Sequence, residues 1–354
     1  MSSGYPYVYP PDRLFHVGGR RISTTVVALA LPVVVAALDV MLFGFPETGV
    51  PYNYPLFGDV VLVWLAVLFL RLSHRVLWNI GDEFATLIRL SRGNPVSLVQ
   101  SLTPEDIHSD LQNVLYLAYH PVVLVVGAVL GGTFVSAIMY WMGVFEAYPY
   151  LGMNFGFGAA HGVFFGPVVG GAYVVVRAYT TYIADINLLD PNGVGGYRQI
   201  GNGIVKLATY AIGILTLDFV ILSSVTFTAF ERFQVVVSAL FLIVLAVVVV
   251  GTVTVTVLVR RKLLQVRSEK VSLMRETFAD VEREYWRKYR AEENNLPEAL
   301  NVLSMYAMFY QMSDMDMWPI NLYSLVRLGT SVSFSLAVYY LDLINSIKSL
   351  ATLV

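Results

Sequence analysis

The chain has 354 residues, of which 56% are hydrophobic and 14% charged, whereas water-soluble domains carry roughly 25% charged residues; a soluble globular domain is excluded. It has no cysteine and five histidines, so disulfides, thiol catalysis and thiolate metal sites are excluded and chemistry falls to carboxylates, imidazoles, hydroxyls and backbone. The net charge of −2 says little as a sum, because a membrane protein sorts its charges by side.

Residues 1–22 form a polar arm rich in Tyr and Pro at its start. The first apolar run begins near Thr24 and extends about 20 residues, too long and too late for a secretory signal, so it reads as a retained span. Apolar runs of spanning size lie at 23–45, 56–72, 117–144, 155–183, 203–227 and 233–259. A seventh, 319–344, is interrupted by Arg327 and Asp342, and charges inside a span are functional more often than accidental. The sequence therefore predicts an all-α protein with seven spans: a six-helix bundle over 23–259, a helical loop at 73–116, a helical anchor at 260–318, and a last span with its tail at 319–354.

Twenty of the 23 basic residues fall in the arm, in the loop after span two, at the edges of the turn between spans four and five, or after span six. Lys and Arg stay on the cytoplasmic side, which places the N-terminus inside and, with seven spans, the C-terminus outside, in the plasma membrane. A rhodopsin-like receptor would start outside. In the helical loop, Thr103 and Pro104 read as N-cap and first residue of a helix. The stretch 260–293 runs without Gly or Pro, and Leu264, Val271, Phe278 and Tyr285, with Met274 and Val281 between them, form an a/d seam. That seam either packs on the chain's own cytoplasmic helices or joins copies of the chain.

In the last span, Ser331, Ser335, Tyr339, Asp342 and Ser346 recur at spacings of three and four, with Asn345 beside them, and so share a helix face. Lipid cannot hydrogen-bond such a stripe. It either packs closely on a neighbouring helix or lines an aqueous path, in which a ring of Asp342 carboxylates would favour cations. Arg327 would lie near the inner mouth. Asp39 in the first span and Asp218 in the fifth are further intramembrane acids, of the kind that relay protons or couple ions. Tyr140, Trp141, Tyr148, Phe157 and His161 crowd the junction of spans three and four. They read as an interfacial aromatic belt or as a small-molecule pocket. The loop 185–201, rich in Asp, Asn and Gly, lacks the ligand alternation of a calcium loop and the Lys of a phosphate loop, and reads as a tight turn. No metal centre, nucleophile elbow, cofactor motif or nucleic-acid signature appears, and an enzyme is not expected.

The last span and the overall layout resemble the insect odorant and gustatory receptors. Those are seven-helix cation channels with an inside N-terminus, a cytoplasmic helical anchor and a pore lined by the last helix. Their last helix carries Thr-Tyr, five apolar residues and Gln-Phe. Here Val338-Tyr339 is followed by residues 340–344 and Asn345-Ser346. Tyr339 matches, and Asn345 is a shorter amide; Val338 and Ser346 depart from the pattern, and Asp342 interrupts its apolar middle. The motif spans nine residues, while the layout spans the chain. The resemblance implies a homotetrameric, ligand-gated channel for monovalent or divalent cations, with Tyr339 and Asn345 at gate or pore positions. The alternative is a secondary transporter that moves ions or protons through Asp39 and Asp218.

Overall fold

The computed structural model describes residues 10–13, 16–17, 20–21, 24–44, 53–91, 104–141, 151–178, 197–229, 231–315 and 317–352, with backbone alone at several helix ends, including 345–352. Apart from a two-residue antiparallel pairing of His16 with Arg21 and Val17 with Arg20, the described elements are helical. Beside a turn of 3-10 helix at Pro10–Arg13, ten α-helices are described: α1 Thr24–Phe43, α2 Asn53–Ser91, α3 Pro104–Ala118, α4 Pro121–Trp141, α5 Leu151–Gly162, α6 Phe165–Arg177, α7 Arg198–Ala229, α8 Glu231–Arg290, α9 Leu296–Asp314 and α10 Leu322–Thr352.

Five stretches among the described residues are long and apolar enough to cross a membrane: Val60–Phe84, Ser109–Trp141, Leu151–Arg177, Ile200–Ser223 and Val237–Arg290. They suggest a membrane protein. The first helix adds a shorter apolar stretch, Leu29–Phe43. The last helix is not among the five, because its serines and tyrosines together with Arg327 and Asp342 dilute its apolar run. The outer faces agree with a lipid solvent: on α4, Val122, Val125, Val129, Leu130 and Phe134 are each about half to two-thirds exposed. Such a continuous bare apolar face is unusual on a soluble monomer.

Proline accompanies three of the helix boundaries. Pro121 restarts the chain as α4 directly after α3, and Pro104 opens α3 where the sequence predicts; Thr103 lies outside the described residues. The predicted span 155–183 is divided, since α5 ends at Gly162 and α6 resumes at Phe165. Pro167 lacks the N–H that would bond back to Val163, and so weakens the helix there. By contrast α8 continues unbroken for 60 residues, roughly 90 Å at 1.5 Å per residue, joining the predicted span and anchor in one rod. Asn321 caps α10 by accepting from Ser324 N–H at 2.8 Å, and Asn202 of α7 accepts from Ser324 Oγ at 2.8 Å and Asn321 N–H at 3.2 Å.

The central elements are α2 and α7. Around them α4 packs on α5, α3 on α2, α8 and α10 on α7, and α9 returns along α8. One core joins Leu77, Phe84, Leu115, Tyr197, Leu263, Met274 and Met312; a second joins Leu62, Met139, Met153, Phe157 and Ile221; a third joins Ile212, Phe219, Phe241 and Leu245 with Leu336 and Tyr339 of the last helix. The predicted seam is used in part within the chain: Met274 is buried in the core that contains Met312 of α9, and Val271 packs against it. Phe278, Val281 and Tyr285 are half-buried, while Leu264 is 38% exposed.

Candidate functional site

The short helix α5 is held at both ends by acids from other helices. At its start, Asp39 of α1 accepts from Gly152 N–H at 3.2 Å and Met153 N–H at 2.8 Å. The first N–H groups of a helix have no partner within it, and a carboxylate also suits the positive end of its dipole. Gly152 makes room for the approach, since a Cβ there would lie 2.7 Å from Val35 Cγ1 and 3.0 Å from Asp39 Oδ2. Asp39 is therefore a buried tie between α1 and α5, and this accounts for both of its oxygens.

At the other end, His161 in the last turn of α5 meets Asp218 of α7, with Nε2 and Oδ2 2.7 Å apart. The ring is oriented from behind: Nδ1 lies 2.8 Å from Phe157 O. A carbonyl only accepts, so Nδ1 carries a hydrogen and Nε2 is the nitrogen that exchanges with the carboxyl. Phe157 lies tilted against the imidazole with ring centroids 4.6 Å apart. The Asp218 side chain is 10% exposed and that of His161 40%, so the acid is enclosed and the base opens outward. The second carboxyl oxygen, Oδ1, is buried with no hydrogen-bond partner among the described residues, which is costly in an apolar setting.

Around this pair α5 is pressed onto α4 by glycine. A Cβ on Gly127, Gly131, Gly158 or Gly162 would collide with backbone of the facing helix. Close backbone approach of this kind is how small residues join membrane helices. The spacing Gly127-x-x-x-Gly131 and Gly158-x-x-x-Gly162 stands in the sequence and is the signal that the reading of aromatic residues passed over.

No family model, curated protein or solved structure matches the chain.

The other predicted residues fall as follows. Tyr140 and Trp141 end α4 with 76% and 85% of their surface exposed, whereas Phe157 is buried in the bundle and His161 turns to Asp218 with its ring partly open outward, so the structure does not gather these four into one pocket. Tyr148 lies outside the described residues. On α10, Ser335 is buried, with Oγ 2.6 Å from Thr216 Oγ1 of α7, and also donates to Ser331 O. Tyr339 stacks on Phe241 and tilts against Phe219. These two residues therefore lie against the chain's own α7 and α8, not on an open face as the aqueous-path reading requires. Ser331 is half-buried and donates to Arg327 O, and Asp342 is half-buried. The side chains of Asn345 and Ser346 lie outside those described, as does the greater part of the 185–201 loop. Arg327 stands over the Tyr210 ring, 5.4 Å from its centroid.

Proposed function

We propose that the chain is a membrane transport protein that couples solute movement to a proton carried between His161 and Asp218. One observation bears the weight of this reading: an imidazole and an enclosed carboxyl in hydrogen-bond contact, within two apolar helices and beside a break in one of them. With Nδ1–H fixed on Phe157, one proton shared between Nε2 and Oδ2 leaves the pair neutral. Gain of a second proton makes it cationic, and loss makes it anionic. Each change alters the attraction between α5 and α7 in a medium of low dielectric, where such differences are large. Helices interrupted within the membrane are a recurrent device of secondary transporters, and the break at Val163 and Phe164 lies within one turn of His161. Asp39 acts here as the fixed end of α5 and not as a second coupling group.

The test is flux in reconstituted vesicles loaded with a pH-sensitive dye, with an inward proton gradient imposed, without solute and then with panels of amino acids, sugars and organic ions outside. Wild-type protein should dissipate the gradient faster than protein-free vesicles with at least one panel, and Asp218→Asn should lose at least tenfold of that rate. Equal rates for wild type, Asp218→Asn and empty vesicles under every condition would overturn the proposal.

A homotetrameric cation channel is the second reading, favoured by the outward face of α10. Gly329, Thr330, Ser333 and Ala337 are exposed there, small and hydroxyl residues set among the exposed Val326, Phe334 and Tyr340. In that case the wall of the pore would be this face, rotated away from Ser335 and Tyr339. The natural absence of cysteine makes Ser333→Cys a clean probe: disulfide-linked dimers in the membrane support an axis at α10, and monomers under oxidation count against it.

A further inference from the structure

A cavity of about 430 Å³ opens between α2, α6, α7 and α8, at the end of the bundle where α2 runs on toward Ser91. Leu77, Ala208 and Thr252 are buried at its walls, while Val168, Val176 and Val247 at its mouth are 54–65% exposed. No Asp, Glu, Lys, Arg or His lines it. Its three hydroxyl groups are already committed. Ser73 donates to Leu70 O at 2.9 Å, so the 2.6 Å contact between Ser73 Oγ and the Tyr119 hydroxyl uses the Tyr119 proton, and Thr252 donates to Val248 O at 2.7 Å. The walls thus direct no hydroxyl proton at an occupant, and a polar molecule would be stripped of water there without compensation. An apolar cavity of this kind excludes water and takes apolar ligands.

We infer that this cavity is a binding site for one acyl chain of a bilayer phospholipid. Its mouth lies on the same apolar surface as the lipid-facing sides of α6 and α8, so a chain enters without crossing water. A helix from a second copy is a poor fit: one turn with its side chains is 10–12 Å across and 5.4 Å high, roughly 400–600 Å³, and would fill the whole cavity. The bound chain would pack on Phe164, the second residue of the break between α5 and α6, and on Gly251 of α8, where a Cβ would meet no atom within 4 Å. Occupancy would brace α6 against α8.

The experiment uses the full chain in nanodiscs containing a phosphatidylcholine with a photoactivatable diazirine in one acyl chain, and mass spectrometry to map adducts. Adducts should concentrate on Leu77, Ala208 and Ala211, and Gly251→Trp should reduce them at least fivefold while leaving labelling of the open α4 face at Val125 and Phe134 unchanged. Ala172→Phe, which blocks the cavity from α6, should act likewise and guards against misfolding of the first variant. Three outcomes would each overturn the inference: labelling confined to open lipid-facing surfaces, displacement by free fatty acid but not by unlabelled phosphatidylcholine, or cross-links from these positions to a second copy of the chain.

Discussion

Asp39 and Asp218 are both carboxylates inside apolar helices, but their surroundings give them different work. Asp39 spends both oxygens on the backbone of α5, so Asp39→Ala should destabilise the protein by about 0.5–2 kcal/mol, as expected for loss of a helix cap. Asp39→Asn, which keeps one acceptor, should cost less. Thermal unfolding in detergent checks this, and an unchanged midpoint for Asp39→Ala would remove the tie. Asp218 is different because its partner is itself titratable. His161→Gln should abolish proton-dependent flux much as Asp218→Asn does, since a glutamine amide hydrogen-bonds but exchanges no proton; retention of flux in dye-loaded vesicles would contradict the assignment. The presence of both acids was legible from the sequence, because charge stands out in an apolar run. Their partners were not: 113 residues separate Asp39 from Gly152, and 57 separate His161 from Asp218. No local spacing reports a contact made across the bundle, and His161 was grouped with the aromatic residues next to it in the chain.

Among the elements, the α4–α5 pair is the most constrained. Gly131→Leu or Gly162→Leu would drive a side chain into facing backbone and should cost well above the 1–3 kcal/mol typical of overpacking, seen as lost expression or a lowered unfolding midpoint. Gly156→Ala on the same helix is the control, since a Cβ there meets nothing within 4 Å, and should leave the midpoint unchanged. The hairpin of α8 and α9 makes a pH prediction. Lys288 donates to Glu298 at 2.6 Å, and this hydrogen bond holds the Glu298 carboxyl below the usual glutamate range. A carboxyl depressed in the folded state stabilises fully above its unfolded value of about 4.3. That contribution disappears as pH falls through the lower folded value. Hydrogen exchange over residues 291–300, corrected for intrinsic rate, should therefore show the hairpin end loosening in acid, and Glu298→Gln should remove that response. The rod α8 was readable from its unbroken helical pattern. The division of α5 from α6 was not taken from Pro167, because an apolar run of that length reads as one span until packing shows where the chain bends. The α10 stripe was visible as periodicity, but periodicity identifies a face without saying what lies opposite, and Thr216 and Phe241 occupy that place for Ser335 and Tyr339.

For the whole molecule, composition and apolar runs identified a helical protein with several stretches fit to cross a membrane. They left open which helix faces meet lipid, water or another copy. Among the described residues, apolar faces stand uncovered on the spanning helices α4, α6 and α8 and on α1 and α10, and a further run of Leu296, Leu300, Leu303, Tyr306 and Tyr310 lies along α9, each of these five more than half exposed. The α9 run lies on the helix that returns along α8, and we propose it as a surface where copies of the chain associate, since contiguous exposed apolar faces mark interaction sites. Mass measurement in detergent should accordingly give more than one chain per particle, and replacing Leu300 and Leu303 with Glu should shift it toward monomer; an unchanged particle mass would assign that face elsewhere. Association of this kind is compatible with either transport reading. Proton exchange at the α5–α7 contact is what separates them. The direct measurement is an infrared difference titration of the protein in lipid nanodiscs, comparing wild type with Asp218→Asn. A carboxyl band should grow and fade reversibly with pH in wild type and be missing in the variant. Identical difference spectra for the two proteins across the whole titration would contradict proton exchange at this contact.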